Sequence, residues 1–293
     1  MAAVSPKPEL LVIVGQTASG KSALALQIAK EINGEIICAD SWTVYKHFNI
    51  GTSKPTISQQ KAVKHWLLDV REANQGFNAP AFKELAQKAI TDIQDRGKLP
   101  IMVGGTGLYI DSVLYDFGFL PSVSPDERAK LDSLELAELL GIAKLQNIDL
   151  TDIDIRNKRR VIRAIEAKGQ KPTKQSIRPN TLIIGLQPDT EELKTRVEQR
   201  VDQMLADGLE KEVKQLSVKY GWEAEPMKGI GYREWQNYFN GSQSLEETRQ
   251  RIISATNNLS KRQRTWFKRN RDINWFSDSN QAYEYVKKQL LNT

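Results

Sequence analysis

Gly15-Gln16-Thr17-Ala18-Ser19-Gly20-Lys21-Ser22 has the spacing of a phosphate-binding loop. In such a loop the glycines let backbone N–H groups face an anion at a helix N-terminus, the lysine neutralises it, and the hydroxyl that follows can hold Mg²⁺. Asp40 has a chemical reading as a general base or a Mg²⁺-organising carboxylate; the other reading from position is an aspartate that caps a turn. Gly104-Gly105-Thr106-Gly107-Leu108-Tyr109 sets three glycines around a threonine. Backbone could there approach a ligand closely while the Thr106 hydroxyl bonds to it, with a plain turn before a helix as the alternative. Arg196 and Arg200 stand one helical turn apart, and either could grip a phosphate through a bidentate guanidinium. The loop itself does not say whether the phosphate belongs to a nucleotide or to another diphosphate.

These groups need elements to position them. The apolar run Leu10–Val14 predicts a strand before the loop, and Ala23, Leu24, Ile28 and Ile32 predict a helix after it, closing near Gly34. Glu35–Ala39 predicts a second strand ending at Asp40-Ser41. Ligand groups collect at the carboxyl ends of parallel strands, so Asp40 is expected on the rim of the phosphate loop. A helix over about 79–95, with Phe82, Leu85, Ala89, Ile90 and Ile93 on one face and Gly97 as its stop, precedes a strand at Leu99–Val103 that runs into the second glycine motif. Strand character resumes at Thr181–Leu186, followed by helices over about 191–205 and 210–220.

Between these lies a segment of different character. Pro121, Pro125 and small polar residues mark a break, and short helical patterns follow through 131–145 and 154–168. Arg156, Arg159, Arg160 and Arg163 fall on the second pattern, as a phosphate-contacting face or a solvated one. The expected fold is α/β: a P-loop NTPase-like core with a parallel sheet, formed by residues 1–117 and 179–293, and a helical insertion domain over 118–178. Met227–Glu234 is a glycine-punctuated turn with two cations. From Lys261 to Arg271, cations interleave with Trp266 and Phe267, which suits RNA recognition or, for the rings, core anchoring.

Composition narrows the class. A chain of 293 residues with 40% apolar content can build one large or two modest cored domains. The single cysteine, Cys38, excludes an intramolecular disulfide and is expected to be buried and inert; His47 and His65 are too few for a histidine-based metal site. No stretch approaches the roughly 20 apolar residues of a membrane span, and Met1–Glu9 has no secretory h-region. A cytoplasmic protein is expected. The formal charge of +6 favours an acidic partner such as nucleic acid, a basic solvated surface being the alternative.

Taken in order, the set resembles the tRNA dimethylallyltransferase (tRNA isopentenyltransferase) family, bacterial type. The resemblance is carried by Gly15–Ser22, Ala39-Asp40-Ser41 with Val44-Tyr45, Gly51–Pro55, His65–Asp69, Gly104–Tyr109, the stretch from Arg196 to Gly208 with Met204-Leu205, Gly229–Tyr232 and Lys261–Phe267. It implies transfer of a dimethylallyl group from dimethylallyl diphosphate to N6 of the adenosine just 3′ of the anticodon, with Mg²⁺ as cofactor. It implies Asp40 as the base, Thr106 as the residue orienting the amine, and Lys21 and Arg196 on the diphosphate. Gly15, Thr17, Ala18, Ser19, Gly20 and Ser22 complete the implied diphosphate site, Ser22 being the metal ligand. The implied tRNA contacts are Asp40, Ser41, Trp42 and Thr43; Asn157, Lys158, Arg159, Arg160 and Val161; Lys228, Gly229, Ile230, Gly231, Tyr232 and Arg233; and Lys261, Arg262, Gln263, Arg264, Thr265, Trp266, Phe267 and Lys268. The partners are then the tRNA anticodon stem-loop and dimethylallyl diphosphate, with no membrane, for a protein acting as a monomer.

The chain departs from the family pattern in places. Gln16 replaces a common proline, Trp42-Thr43 stands for Arg or Met followed by Gln, Trp66 replaces a histidine, Asn257 an arginine, and Leu259-Ser260 a Tyr-Ala pair. None removes the implied base or a diphosphate ligand; they bear on which bases around the adenosine are read. The zinc-finger tail of some eukaryotic relatives is not expected. Three other readings are separable by activity: an adenylate isopentenyltransferase would use free AMP, ADP or ATP, a P-loop kinase would move the γ-phosphate of ATP, and an inactive tRNA-binding protein would bind without product.

Overall fold

The computed structural model describes residues 7–121 and 123–291. β1 (Leu10–Gly15) leads through the phosphate loop into α1 (Lys21–Glu31); β2 (Glu35–Ala39) is followed by α2 (Ile57–Ala62), the short β3 (His65–Trp66) and α3 (Ala79–Asp95); β4 (Pro100–Gly104) runs into α4 (Gly107–Leu114). Next come α5 (Pro125–Ser133), α6 (Leu136–Leu145) and α7 (Lys158–Glu166). The chain continues with β5 (Thr181–Leu186), α8 (Thr190–Ala206), α9 (Leu209–Tyr220), α10 (Gln236–Phe239), α11 (Leu245–Phe267), β6 (Asn274–Phe276) and α12 (Ser279–Leu291).

The chain divides into two compact units, residues 1–114 with 178–293, and residues 115–177. In the first, the described residues form a six-stranded parallel sheet in the order β3-β2-β4-β1-β5-β6. Every residue of β1, β2 and β4 is buried, as expected of parallel strands covered on both faces. One side is filled by Leu24, Ile28 and Val286 against Leu11, Ile13, Ile36 and Ile101. Another apolar cluster gathers Val197, Val201, Val213, Trp235 and Ile252 around Tyr45 and Phe48. The pairing Val14↔Gly104 and Ala39↔Gly104 brings the ends of β1, β2 and β4 level, which puts the phosphate loop, Asp40 and Thr106 on one rim.

Local signals set the boundaries. The Asn78 side chain accepts from Ala81 N and caps α3, whose buried face is Phe82, Ala86, Ala89, Ile90 and Ile93. A capping box of Ser244 and Glu247 starts α11. This 23-residue helix was not expected from periodicity, because Thr248, Ser260 and Gln263 share its buried face with Ile252, Ile253 and Phe267 and dilute the apolar repeat. Short 3₁₀ helices at Glu225–Lys228 and Arg233–Trp235 flank and overlap the ends of the Met227–Glu234 turn.

In the second unit, Leu139, Ala143, Val161, Ile162 and Ile165 make a small core of their own. The expected four-arginine face is not formed. Arg156 precedes α7, and the guanidinium of half-buried Arg163 is engaged by its own unit, bonding the carbonyls of Leu120 and Pro121 (3.1 Å to the latter) and Glu166 (3.1 Å). No helix among the described residues is long and apolar enough to cross a membrane.

Candidate active site

Gly15 lies at φ +154°, and a Cβ there would fall 2.7 Å from the Leu186 carbonyl oxygen and 2.9 Å from Ser19 Oγ. The loop can therefore pass between β1 and β5 only with glycine at this position. Gly20 caps α1 in a left-handed conformation (φ +92°), so the first N–H groups of the helix are left to a ligand. Lys21 Nζ donates to the Gln16 carbonyl at 3.1 Å. Burial, with the Arg200 charge nearby, brings its pKa down to about 8, and the Asp40 carboxylate opposes that shift. A cavity of about 370 Å³ opens here, lined by Ala18, Gly20, Lys21, Ser22, Ala23, Arg196, Gln199 and Arg200.

The two arginines of α8 differ. Arg196 Nη2 is paired with Glu192 at 2.7 Å, and the residue is half-buried. Arg200 is held from two sides, Nε donating to Ser53 Oγ (2.7 Å) and Nη1 to Thr17 Oγ1 (3.3 Å). Burial lowers its pKa and the Asp40 charge raises it. Arg200, absent from the implied ligand set, thus joins Lys21 as a cation fixed at the loop; only its helical spacing from Arg196 signalled it.

Asp40 caps a turn, and that role leaves one of its carboxylate oxygens available. Oδ1 accepts from Trp42 N (2.8 Å) and Thr43 N (3.4 Å), closing the turn after β2, while Oδ2 has no hydrogen bond among the described residues. Thr106 Oγ1 accepts from Ser41 N at 3.2 Å, so the expected base and the expected orienting hydroxyl flank the same backbone. Cys38, one residue earlier on β2 than Ala39, is buried, and its thiol is pushed up to about 12 by burial and the Asp40 charge.

The second glycine motif serves a different purpose from the one expected. A Cβ on Gly104 would meet the Ala39 carbonyl oxygen at 2.0 Å, one on Gly105 would meet Gln263 Nε2 at 2.2 Å, and one on Gly107 would meet the Trp266 ring at 2.2 Å. Its open space is taken by the chain, chiefly by α11. Gln263 Oε1 accepts from Thr17 N (2.7 Å) and Nε2 donates to the Gly105 carbonyl (3.2 Å). Gln16 Nε2 donates to Ser260 Oγ (2.7 Å), and Trp266 Nε1 to Asp111 (2.9 Å). α11 therefore clamps the phosphate loop to the end of β4.

This corrects part of the expected RNA surface. Gln263 and Phe267 are interior, as are Thr43, Val161 and Tyr232; Gln263 bonds backbone, and Val161 and Tyr232 pack in apolar clusters. Gly229 and Gly231 are buried and present backbone only. Lys261, Arg262 and Thr265 are exposed on α11 and Lys268 just after it, with Arg264 and Trp266 half-buried; Lys228, Arg233, Asn157, Arg159 and Arg160 are exposed, and Ser41, Trp42, Lys158 and Ile230 half-buried.

A larger cavity, about 870 Å³, lies at the opposite, amino ends of the strands, between α1, α12 and the start of β4. Its polar side chains Tyr283 and Lys287 are bonded to Glu31. The phosphate-loop residues and the α8 arginines gather at the other rim, which makes the smaller cavity the candidate site.

A family model described as IPP transferase matches residues 43–270. The chain is 42% identical to a tRNA dimethylallyltransferase of Pediococcus pentosaceus, covering 95% of this chain and 94% of the relative. Among solved structures it is similar to a full-length tRNA isopentenylpyrophosphate transferase from Bacillus halodurans, with TM-score 0.74, 33% identity and 98% of each chain covered. It is also similar to a eukaryotic dimethylallyltransferase acting on tRNA, with TM-score 0.81, 26% identity, and 97% of this chain and 79% of that one covered.

Proposed function

The chain belongs to the IPP transferase family, and from that premise we propose that it transfers a dimethylallyl group from dimethylallyl diphosphate to N6 of the adenosine 3′-adjacent to the anticodon in tRNA, releasing diphosphate. The observation that carries the site reading is the shared rim: a cation-lined phosphate cradle, a carboxylate with one free oxygen, and a hydroxyl beside it. The adenine amine is a weak nucleophile because its lone pair is delocalised into the ring. As the N6–C bond forms, Asp40 Oδ2 takes the departing proton, the other oxygen remaining on its turn. Thr106 Oγ1 orients the amine. The C–O bond to diphosphate breaks, and its electron pair leaves with the diphosphate. Loop N–H groups, Lys21 and Arg200 stabilise that charge, with Arg196 joining once it releases Glu192. Reaching the amine requires the base to leave the anticodon-loop stack.

The donor set fits Mg²⁺ as a metal carried by substrate. Among the described residues no cluster of three or more His, Cys, Asp or Glu could hold a metal ion, whereas Ser22 offers a hydroxyl at the cavity wall. Mg²⁺ keeps waters and takes substrate phosphates with few protein ligands, and bound beside Ser22 it would neutralise charge on the diphosphate. The exposed cations of α11 and of residues 156–160 support a macromolecular acceptor over free adenylate. The same reading has the enzyme act as a monomer in the cytoplasm.

The test is incubation with Mg²⁺, dimethylallyl diphosphate and unmodified anticodon stem-loop RNA, with AMP in parallel, followed by mass analysis of the nucleosides. Isopentenyladenosine from RNA alone is expected. Product from AMP alone would overturn the choice of acceptor.

A further inference from the structure

Glu212, in the first turns of α9, has no role in the chemistry above, yet its carboxylate joins two segments of the site. Oε1 accepts from Tyr232 Oη (2.7 Å), Ile50 N (3.0 Å) and Gly51 N (3.2 Å), and Oε2 from Ile50 N (3.0 Å) and Asn49 N (3.2 Å). Successive N–H groups wrapped on an anion make a charge-assisted anchor. They belong to a tight turn closed by Ser53 N to Ile50 O (2.9 Å) and Lys54 N to Asn49 O (3.0 Å). Ser53 sits in the left-handed region at φ +50°, and its Oγ receives Arg200 Nε at 2.7 Å. Arg200 in turn reaches Thr17 and lines the diphosphate cavity, where its Nη2 makes no hydrogen bond among the described residues.

On the other side, the Tyr232 ring lies on Gly51, where a Cβ would fall 2.6 Å from it. Burial and the neighbouring Glu212 charge hold the Tyr232 hydroxyl protonated, so that it remains a donor to the carboxylate.

We propose that Glu212 is a positioning residue for prenyl transfer: by pinning the turn at 49–54 it sets Ser53 to aim Arg200 at the diphosphate, and by holding Tyr232 it ties the Gly229–Tyr232 segment to that same turn. The proposal rests on the reading that the cavity takes a diphosphate. A freely rotating arginine would lose side-chain freedom on binding; one already bonded at Nε and Nη1 has lost it beforehand.

The experiment uses the full chain and measures the affinity of inorganic diphosphate with Mg²⁺ by calorimetry, then donor and tRNA KM, for Ser53→Ala, Glu212→Gln, Tyr232→Phe and the Ser53→Ala/Glu212→Gln double variant. Loss of one oriented hydrogen bond should weaken diphosphate about three- to tenfold in Ser53→Ala, with tRNA affinity unchanged. Glu212→Gln should do at least as much, and the double variant no more than Glu212→Gln alone, because both act through Arg200. Tyr232→Phe should raise donor KM by a smaller factor, and with Ser53→Ala it decides the matter if Glu212→Gln does not fold. Unchanged diphosphate affinity in Ser53→Ala, independent effects in the double variant, or lowered thermal stability alone would overturn the proposal. A wild-type chain that binds no diphosphate would instead remove the reading of the cavity, and the proposal with it.

Discussion

Replacing Gln263 by alanine should damage the donor site and leave RNA binding alone. In the folded chain this side chain satisfies a half-buried donor, Thr17 N at 2.7 Å, and a buried acceptor, the Gly105 carbonyl at 3.2 Å, while remaining 8% exposed. Alanine leaves both backbone groups without that partner. A buried group left unpaired costs about 1–3 kcal/mol, and water can partly rescue Thr17, so the sum is about 2–4 kcal/mol. For a protein of this size that corresponds to a fall in Tm of about 3–7 °C. Because Thr17 belongs to the phosphate loop, donor KM should rise about tenfold. Gln263→Glu separates geometry from charge: it keeps an acceptor for Thr17 N, but turns a second oxygen on the Gly105 carbonyl and adds a negative charge beside the diphosphate. It should therefore impair donor use more than Gln263→Ala does. The assays are thermal unfolding, donor KM at saturating RNA, and filter binding of tRNA across a salt series. If Gln263→Ala kept wild-type Tm and donor KM but bound tRNA weakly, the clamp by α11 would be wrong and Gln263 would be an RNA contact.

Asp40→Asn keeps an oxygen for the N–H groups of Trp42 and Thr43 but cannot take a proton; turnover should fall roughly 10²–10⁴-fold with tRNA affinity retained, and unchanged turnover in a single-turnover assay would remove Asp40 as the base. The Lys21 pKa is depressed from 10.5 to about 8 in the folded chain, so between those pH values the unfolded chain holds more protons and stability rises with pH, whereas below pH 8 the buried charge is a constant cost. Lys21→Met should accordingly raise Tm at pH 7, flatten that rise and abolish diphosphate binding; a lower Tm at pH 7 would contradict the burial argument. Neutralising Lys261, Arg262 and Arg264 together should reduce the slope of log affinity for tRNA against log salt by about 2–3 if each faces a phosphate. An identical slope would place those cations away from the RNA.

Much of the fold is written locally. Apolar runs specify β1, β2 and β5 because the faces of a parallel strand are covered, and the apolar face of α3 with Gly97 as its stop marks that helix in the sequence. The phosphate loop, Asp40 and Thr106 were legible for the same reason: each stands directly after a strand, and parallel strands put such residues on one rim. What only the tertiary structure decided is the division of labour among residues far apart in the chain. The glycines of 104–107 read as room for a ligand, yet they make room for Gln263 and Trp266, Gln263 standing 158 residues beyond Gly105, on a helix whose buried face is too polar to announce itself. Tyr232 and Gln263 carry the residue types of a nucleic-acid surface and are spent inside the fold, half-buried Arg163 is turned onto carbonyls of its own unit, and Arg200 is fixed at the phosphate loop by its bonds to Ser53 and Thr17. Periodicity records which face of an element is apolar; it does not record which polar group on that face meets a backbone donor from another element, and that pairing fixes the site.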